Sequence, residues 1–391
     1  MNSIIEREQQ SIFQTYKRLP IVVEKATGCR IYSNSGEEYL DFLAGIAVNA
    51  LGHSHPKIIA AVEEQIHKYM HLSNYFYQEP QIKFAEQIGK ISCFNRVFFT
   101  NSGTEAMEGA IKLIRRYGAF TEKDEIVAFS GGFHGRTYGA LSIMDKPLYK
   151  DKMGPYLTGT RILKYNDIED LQKNINEKTA AVVLEFIQGE GGVCEASPAF
   201  IEKIDELRKK FGFLLLADEI QTGCGRTGKF FAYEHFGVEP DIATLAKGIG
   251  GGLPLGALVA KEHLAGVWEK GMHGTTYGGN AVACSTGLVV VEELQNGLLE
   301  HINETGNYFN EKLNQIMQKY PDIVKEVRGR GLMLGLLLSF EAGKLVENLL
   351  ENYIIANAAS GFVLRIVPPL IVEKEDIDLF IEKLDSCLKD Y

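Results

Sequence analysis

The sequence predicts an α/β protein that has a largely parallel sheet in a large domain and a smaller α+β domain after it. From Arg96 onward, short apolar segments alternate with helix-like segments, the order that is typical of parallel sheets. Residues 179–184 are apolar without alternation, as expected of a central strand buried on both faces. From about Asn296 the pattern changes to longer helices with strand-like segments between them, which indicates the second domain.

The composition is that of a globular protein and argues against several classes of partner. The chain has 391 residues, enough for two domains around one large core. A net charge of −10 without a basic stripe argues against nucleic acids and anionic membranes as partners. We expect neither a signal peptide nor a membrane span, because no apolar run is long enough. Six cysteines without paired spacing favour reduced thiols and a cytoplasmic protein.

The first 45 residues predict an arm rather than a domain. A polar, helix-like stretch up to Phe13 is followed by short strand-like pieces separated by turns. An amphipathic helix is predicted from Pro56 to Met70. His53 and His55 precede it without an acidic residue or cysteine at ligand spacing, so no metal site is predicted. We place the large domain at 46–295 and the small domain at 296–391.

The strand predicted at 97–100 leads into a small polar turn, Asn101-Ser-Gly-Thr-Glu-Ala106, and a helix up to Tyr117. Backbone N–H groups at the helix start, two hydroxyls and the positive end of the helix dipole would together hold an anion. The alternative is that Ser102 or Thr104 only caps the helix. This stretch alone does not favour either interpretation.

Three later strands also end in polar or aromatic side chains. The strand at 125–130 leads into Gly131-Gly-Phe-His-Gly-Arg136, where Phe133 could stack on a ring and Arg136 could hold a carboxylate. The strand at 179–185 leads into a glycine-rich turn with Glu190. The strand at 213–218 ends at Asp218, whose buried carboxylate needs a cation or hydrogen bonds. A protonated pyridine nitrogen would satisfy it, although capping or an internal ion pair is the more common reason.

Lys247 follows a predicted buried strand and precedes four glycines in Lys247-Gly-Ile-Gly-Gly-Gly252. In open α/β sheets, ligands bind at the carboxyl ends of strands. Burial would lower the pKa of the amine and make it nucleophilic enough to bond to an aldehyde. The glycines would leave room for a flat ligand. A surface lysine in a loop is the more common reading of such a segment by itself.

A second glycine-rich stretch, Gly223-Cys-Gly-Arg-Thr-Gly228, matches the dinucleotide-binding pattern. Four residues separate it from the preceding strand, and the sequence after it does not begin as a phosphate-capping helix. We therefore interpret it as a loop.

The remainder of the chain predicts one more strand of the large sheet and then the smaller domain. The strand at 257–260 is followed by His273-Gly-Thr-Thr-Tyr-Gly-Gly-Asn280, which is typical of an anion-binding turn before a helix at 281–295. Helices are predicted at 297–319, at 341–352 and from 374, with strand-like segments at 324–338 and 362–370.

Four segments in this order resemble the class III aminotransferases, which bind pyridoxal 5'-phosphate on the fold-type I scaffold. They are Asn101-Ser-Gly-Thr-Glu-Ala, Ala217-Asp-Glu-Ile-Gln-Thr-Gly, Leu245-Ala-Lys-Gly-Ile-Gly-Gly-Gly and His273-Gly-Thr-Thr-Tyr-Gly-Gly-Asn. The resemblance covers nearly the whole chain and implies a mixed, mostly parallel seven-stranded sheet. Two positions depart from the family: Phe186 replaces a usual proline, and Ala281-Val replaces proline-leucine.

The resemblance also implies roles for individual residues. Lys247 would bond to the cofactor, and Asp218 would keep its pyridine nitrogen protonated. The residues implied to contact the remaining parts of the cofactor are Ser102, Gly103 and Thr104 at the phosphate, Phe133 and Ile220 on the ring faces, Gln221 at the ring hydroxyl, and Thr276 from a second subunit. A homodimer with shared sites follows from the last of these.

The resemblance implies an ω-amino substrate and 2-oxoglutarate. Arg136 would bind the distal carboxylate of the amino donor with support from Tyr16 in the arm. Arg365 would bind the α-carboxylate of glutamate and pair with Glu190 when the ω-amine is bound. Segments 45–56 and 73–80 are most similar to the family members that act on N-acetylornithine. We therefore expect ping-pong transfer of its δ-amino group to 2-oxoglutarate, in arginine biosynthesis.

Other readings remain open at this point. Ornithine, succinyldiaminopimelate and 4-aminobutyrate aminotransferases would share the same cofactor site. From a different class, a nicotinamide-dependent oxidoreductase could use the glycines at 223–228. A non-catalytic protein on the same scaffold is a third alternative, against which the presence of both Lys247 and Asp218 argues.

Overall fold

The computed structural model describes residues 3–391. The strands are β1 (Val23–Thr27), β2 (Arg30–Ser33), β3 (Glu38–Asp41), β4 (Arg96–Thr100), β5 (Glu125–Phe129), β6 (Thr160–Leu163), β7 (Thr179–Leu184), β8 (Ile187–Gln188), β9 (Cys194–Glu195), β10 (Leu214–Asp218), β11 (Ile242–Leu245), β12 (Gly256–Ala260), β13 (Val324–Arg330), β14 (Met333–Leu338), β15 (Ile354–Ile355), β16 (Asn357–Ala359) and β17 (Val363–Ile366).

The α-helices are α1 (Ile4–Ser11), α2 (Ala44–Ala47), α3 (Pro56–Lys68), α4 (Glu79–Lys90), α5 (Gly103–Thr121), α6 (Tyr138–Ser142), α7 (Ile168–Asn174), α8 (Pro198–Phe211), α9 (Ala281–Glu293), α10 (Leu299–Lys319), α11 (Gly343–Glu351) and α12 (Lys374–Leu388). Short 3-10 turns lie at Pro147–Tyr149, Ala232–His235, Lys247–Gly250 and Glu262–Leu264, and a π-helical turn at Leu294–Leu298 joins α9 to α10.

A seven-stranded sheet in the order β4-β12-β11-β10-β7-β5-β6 forms the centre of the molecule. Six of its strands run in one direction, and β12 runs antiparallel to both of its neighbours. The predicted mixed, mostly parallel seven-stranded sheet is therefore confirmed. Its carboxyl edge, where the six parallel strands end, carries the residues discussed below.

Both faces of this sheet are buried, which explains the unbroken apolar runs in the sequence. Along β7, Val182 and Leu184 belong to one hydrophobic cluster, whereas Ala181 and Val183 belong to another that includes α5. All six residues of β7 are buried. Because both faces exclude water, each successive side chain must be apolar, and the period-2 alternation disappears.

A second sheet, in the order β13-β14-β17-β16, lies in the C-terminal part of the chain. It is antiparallel throughout, and α10 packs on β13. The N-terminal strands β1, β2 and β3 form a third sheet, which the short strand β15 extends in parallel with β3. The arm therefore pairs with the C-terminal part of the chain. The boundaries at 45 and 295 stay predictions; the second falls in the turn between α9 and α10.

The short helix α2 is a left-handed turn that borders the large sheet. Ala44, Gly45, Ile46 and Ala47 all have φ between 50° and 65°. Only glycine adopts this backbone without strain, so the turn requires support from outside. Asp41 Oδ1 accepts hydrogen bonds from the N–H groups of Leu43 and Ala44 at 2.8 and 2.9 Å. Its other oxygen lies 2.8 Å from His53 Nε2.

Across residues 3–391, the structure has no helix that is long and apolar enough to cross a membrane. The same part of the chain assembles no group of three or more side chains that could hold a metal ion.

Candidate active site

A cavity of about 450 Å³ opens at the carboxyl edge of the seven-stranded sheet. Its lining comes from loops that follow β4, β5, β10 and β11, together with Val48 after the left-handed turn. The lining residues are Val48, residues 101–104, residues 133–136, Ile220, residues 246–247 and residues 252–255. The structure thus brings Ser102, Gly103, Thr104, Phe133, Arg136, Ile220 and Lys247 to one cavity.

The polar turn after β4 forms one wall of the cavity. Ser102 is the N-cap of α5, and its hydroxyl accepts a hydrogen bond from the N–H of Glu105 at 3.3 Å. Thr104 Oγ1 lies 2.8 Å from Thr137 Oγ1. Capping therefore occurs, and the start of a 19-residue helix also faces the cavity. The two interpretations of this turn are compatible, because the first N–H groups of a helix have no partner within it.

Lys247 stands two residues after β11, with its side chain enclosed in the cavity. Loss of solvation, aided by the positive charge of Arg365, lowers the pKa of the amine to about 8. The carboxylates of Asp218 and Glu190 act in the opposite direction but do not cancel this effect. A larger fraction of this amine is therefore neutral near pH 7 than of an ordinary lysine.

Asp218 ends β10 and is buried. Its Oδ2 lies 2.7 Å from Nδ1 of His134, which is also buried. Its Oδ1 accepts a hydrogen bond from the N–H of Ile220 at 3.1 Å and one from the hydroxyl of Thr244 at 3.4 Å. Burial disfavours a charged His134, but the hydrogen bond and charge of Asp218 outweigh it and raise the pKa of the imidazole. The carboxylate is thus held in one orientation.

Glu185 joins two of the loops that border the cavity. Its Oε2 accepts a hydrogen bond from the N–H of Phe133 at 2.9 Å, and its Oε1 accepts one from the N–H of Gly189 at 3.4 Å. Burial, together with the charge of Asp218, raises its pKa to about 7. His134 and Glu185 were not predicted as site residues. The only local signal was that His134 follows β5 and Glu185 follows β7. The contact between His134 and Asp218 leaves no local signal, because the two residues are 84 positions apart.

Arg365 and Glu190 form an ion pair next to this cavity, with Nη1 and Oε1 2.5 Å apart. Arg365 is 1% exposed, and its Nε donates to Asn357 Oδ1 at 3.1 Å. Its Nη1 also lies 3.4 Å from Gln221 Oε1. Burial would raise the pKa of Glu190, but the charge and hydrogen bond of Arg365 lower it. Gln221 is thereby joined to the ion pair.

Six predicted site residues do not line the cavity. Four of them, Asp218, Gln221, Glu190 and Arg365, are the buried or paired groups described above, and the other two are exposed. Tyr16 is 73% exposed, and the cation nearest to its ring is Arg18, at 5.6 Å. Thr276 is exposed as well. Within the described part of a single chain, neither side chain lines the cavity that contains Lys247.

The loop at 223–228 is packed against its own chain. A Cβ atom at Gly225 would lie 2.5 Å from Leu294 Cδ2, and one at Gly228 would lie 2.3 Å from Asn303 Oδ1. Arg226 is buried and donates hydrogen bonds from Nη1 to the carbonyls of Leu332 and Pro368. The segment is therefore a loop packed within the fold, as predicted.

Comparison with known proteins decides the family. Residues 12–388 match the family model for class-III aminotransferases. The chain belongs to this family.

Several relatives of this class-III aminotransferase are similar over the full length. The acetylornithine aminotransferase of Caldanaerobacter subterraneus subsp. tengcongensis is 44% identical and aligns over 99% of both chains. That of Methanocaldococcus jannaschii is 45% identical over 98% of this chain and 97% of the relative.

Solved structures of aminotransferases superimpose on this chain over nearly its full length. An ornithine aminotransferase from Toxoplasma gondii ME49 superimposes with a TM-score of 0.94 at 29% identity, over 99% of this chain and 94% of the other. An acetylornithine aminotransferase from Elizabethkingia anophelis has a TM-score of 0.88 at 32% identity, over 99% and 98% of the two chains. The protein is an α/β aminotransferase of fold type I.

Class-III aminotransferases depend on pyridoxal 5'-phosphate, and the cavity of this enzyme fits that group. The cavity offers an amine of lowered pKa, helix N–H groups and hydroxyls suited to a phosphate, and an aromatic side chain, with a buried carboxylate behind it. A Cβ at Gly135 would lie 2.2 Å from Thr104 Oγ1, so the loop and the helix start approach each other as closely as glycine allows. The donor set and the close backbone approach are those expected of a phosphate-bearing aromatic ligand.

Neither departure from the family pattern disturbs the cavity. Phe186 is buried and packs against Phe236, with the ring centroids 5.0 Å apart. Ala281 begins α9 directly after Asn280, whose side-chain oxygen accepts a hydrogen bond from the N–H of Val282 at 3.0 Å. A cap therefore starts the helix in place of the usual proline.

Proposed function

We propose that the enzyme transfers the δ-amino group of N-acetylornithine to 2-oxoglutarate, giving N-acetylglutamate 5-semialdehyde and glutamate, in arginine biosynthesis. The full-length relatives named as acetylornithine aminotransferases support this substrate. The observation that carries the proposal is the placement of two arginines around Lys247. Arg136 lines the cavity, and the buried Arg365 is paired with Glu190.

We assign the cofactor contacts as follows. Lys247 would bond to the cofactor, Asp218 would face the pyridine nitrogen, and Phe133 and Ile220 would cover the ring. Ser102, Gly103 and Thr104 bind the phosphate, with Thr276 of a second subunit, and Gln221 serves the ring hydroxyl. The common cavity supports most of these assignments, and Gln221 is supported by its contact with Arg365.

When bound, the cofactor supplies an aldehyde that bonds to amines and a ring that accepts negative charge from the adjacent carbon. Lys247 would serve as general base and general acid: its amine, with a pKa of about 8, would take a proton from the substrate carbon and deliver it to the cofactor carbon. The Asp218 carboxylate, which His134 holds in place, would stabilise the positive charge of a protonated pyridine nitrogen. Leu253, Pro254 and Leu255 form an apolar part of the cavity wall.

The ion pair between Glu190 and Arg365 supports the use of two different substrates in turn. While the pair is closed, the charge of Arg365 is neutralised, and Arg136 in the cavity lining offers its cation to the carboxylate of the amino donor. When 2-oxoglutarate or glutamate binds, its α-carboxylate replaces Glu190 at Arg365. Glu190 is 27% exposed in its side chain, which is consistent with movement, whereas Arg365 is fixed by Asn357.

We further propose a homodimer whose subunits share their active sites. Tyr75 and Tyr77 are 94% and 98% exposed, and Phe76 and Tyr277 are more than half exposed. An aromatic surface of this kind is typical of a protein interface. Thr276 lies beside Tyr277 on this surface, so a partner seated there would receive its hydroxyl. Tyr16 is likewise accessible from outside the chain.

A cytoplasmic location completes the proposal. All six cysteines are unpaired thiols, which is the form expected in a reducing compartment.

The half-reaction with each candidate amino donor tests the proposed substrate. The purified enzyme is mixed with N-acetylornithine, ornithine, succinyldiaminopimelate or 4-aminobutyrate, and the loss of absorbance of the lysine-bound cofactor is followed. We expect the highest rate constant per concentration with N-acetylornithine. A clear preference for free ornithine would overturn the proposal.

A further inference from the structure

Arg136 is held by aromatic rings rather than by an acidic partner. Among residues 3–391, no carboxylate pairs with its guanidinium, whereas Arg365 is paired with Glu190. The carbon at the centre of the guanidinium lies 3.6 Å from the centroid of the Tyr149 ring and 5.7 Å from that of Phe133. The two rings meet edge to face, with centroids 5.9 Å apart and planes at 87°. The charge of Arg136 is therefore free for a ligand, while its position is determined by Tyr149.

The segment that carries Tyr149 is fastened to the loop that carries Arg136. Asp145 Oδ1 accepts a hydrogen bond from the N–H of Gly131 at 3.2 Å. The N–H of His134 points to the sulfur of Met144 at 3.3 Å. Tyr149 itself closes the 3-10 turn Pro147–Tyr149, in which its N–H donates to the carbonyl of Lys146. The Tyr149 ring and the Arg136 guanidinium thus lie on two segments that are hydrogen-bonded to each other, and they keep their relative position.

A second cation uses the same ring. Lys146 Nζ lies 4.7 Å from the centroid of Tyr149. A carboxylate that approaches Arg136 is attracted by both cations.

We propose that Tyr149 is a positioning residue for substrate specificity: its ring fixes the Arg136 guanidinium in the orientation that binds the distal carboxylate of the amino donor. A guanidinium that stacks by its face on an aromatic ring leaves its N–H edge free for a bidentate contact with a carboxylate. The ring is sufficient for this, since the Tyr149 hydroxyl forms no hydrogen bond with another part of residues 3–391. The inference rests on the proposed role of Arg136.

The test compares binding and turnover in three variants of the holoenzyme. N-acetylnorvaline, which is N-acetylornithine without its ω-amine, reports carboxylate binding by calorimetry without any reaction. In Tyr149→Leu we expect its Kd and the KM for N-acetylornithine to rise about tenfold, with kcat within about twofold of the wild type. Tyr149→Phe should behave like the wild type. Arg365 is unchanged in both variants, so the α-carboxylate of 2-oxoglutarate keeps its partner.

Arg136→Gln separates this inference from the proposed function. If Arg136→Gln weakens N-acetylnorvaline binding and Tyr149→Leu does not, the role of Tyr149 is wrong and the role of Arg136 stands. If Arg136→Gln binds N-acetylnorvaline as tightly as the wild type does, the roles proposed for Arg136 and for Tyr149 are both wrong. Tyr149 is only half-buried, so we expect Tyr149→Leu to fold; Tyr149→Gln replaces it if it does not. A wild type that binds N-acetylnorvaline but transfers no amino group from N-acetylornithine would contradict the proposed function alone.

Discussion

Lys247 shows how a single side chain acquires its reactivity from its surroundings. The amine is surrounded by charges of both signs. Burial and the charge of Arg365 lower its pKa, three carboxylates raise it, and the result is a pKa of about 8. A lysine on the surface would keep its ordinary pKa near 10.5 and would rarely be neutral at physiological pH. The position at the end of a buried strand, rather than the residue type, is what lowers its pKa.

Replacement of this lysine should abolish turnover. We expect Lys247→Ala to reduce kcat by at least about 10³-fold, because both the bond to the cofactor and the proton transfers are lost. Lys270→Ala, at an exposed position, is the control and should retain full activity. Borohydride reduction followed by peptide mass spectrometry should attach the cofactor to Lys247 in the wild type. Full turnover by Lys247→Ala would refute the mechanism.

The rate at which cofactor-free enzyme takes up pyridoxal 5'-phosphate should depend on pH. Only the neutral amine of Lys247 bonds to an aldehyde, so the rate should rise with pH and level off above a midpoint near 8. Arg365→Gln should move this midpoint upwards, because it removes a nearby positive charge and leaves Glu190 without its partner. Stopped-flow absorbance measures both profiles. A midpoint near 10 in the wild type would contradict the lowered pKa.

At the scale of elements, the start of α5 has a capped helix terminus at the cavity and, in the proposed function, binds the phosphate of the cofactor. Ser102 caps the helix, and the residues after it border the cavity. The sequence alone left these two roles as alternatives, since both require a small polar residue before a helix. Whether the turn only caps the helix or also borders a cavity depends on the loops after β5 and β11, which form the other walls of that cavity.

Ser102→Ala should separate the two roles of this turn. We expect a loss of about 1 kcal/mol in the free energy of unfolding from the missing cap. We also expect about tenfold weaker binding of pyridoxal 5'-phosphate, but unchanged binding of pyridoxal, which lacks the phosphate. Ser197→Ala is the matched control, because Ser197 caps α8 in the same way, at 3.3 Å from the N–H of Phe200. It should lose stability without any change in cofactor affinity.

Arg226 connects two elements that are distant in sequence. Its side chain joins the loop after β10 to the carbonyls of Leu332 and Pro368 near the second sheet. We expect Arg226→Ala to reduce the free energy of unfolding by about 2–4 kcal/mol, because it leaves buried carbonyls without donors and creates a cavity. Lys229→Ala, at an exposed position after the same loop, should change it by less than about 0.5 kcal/mol. Urea denaturation of the cofactor-free proteins measures both.

Strands buried on both faces were predictable from the sequence, and other elements were not. The run at 179–184 has no polar residue after Thr179, and this pattern predicts a central strand. Strand β6 gave no such signal, because it is four residues long at the edge of the sheet and carries the exposed Arg161. The pairing of Asp218 with His134 could not be predicted either. A contact between loops that follow different strands has no periodicity along the chain.

At the scale of the whole molecule, the exposed aromatic surface requires an explanation that one chain does not provide. Residues 75–77 extend from the segment between α3 and α4, and Phe76 is 62% exposed. Exposed aromatic groups cost free energy unless a partner covers them. The family resemblance predicted a dimer from Thr276; the surface provides a physical reason for one.

Phe76→Asp should convert the enzyme into inactive monomers. A carboxylate buried at the proposed subunit interface would be unpaired, and separated subunits would lose the proposed contribution of Thr276. Phe120→Asp is the matched control, because Phe120 is also 62% exposed but lies at the end of α5. Sedimentation should give about twice the 43.5 kDa chain mass for the wild type and for the control. An active, dimeric Phe76→Asp variant would contradict this interface.

The single antiparallel strand determines which parts of the sequence can change in length. Since β12 returns from the carboxyl edge, residues 246–255 span only the distance between adjacent strands. Gly256 pairs with Thr100, directly before the turn that begins α5. A Cβ at Gly256 would lie 2.5 Å from Thr100 Oγ1, so this register admits no side chain there. An insertion in this return would displace the reactive amine from the helix start. Natural variation in chain length should therefore concentrate elsewhere, in surface segments such as 150–158.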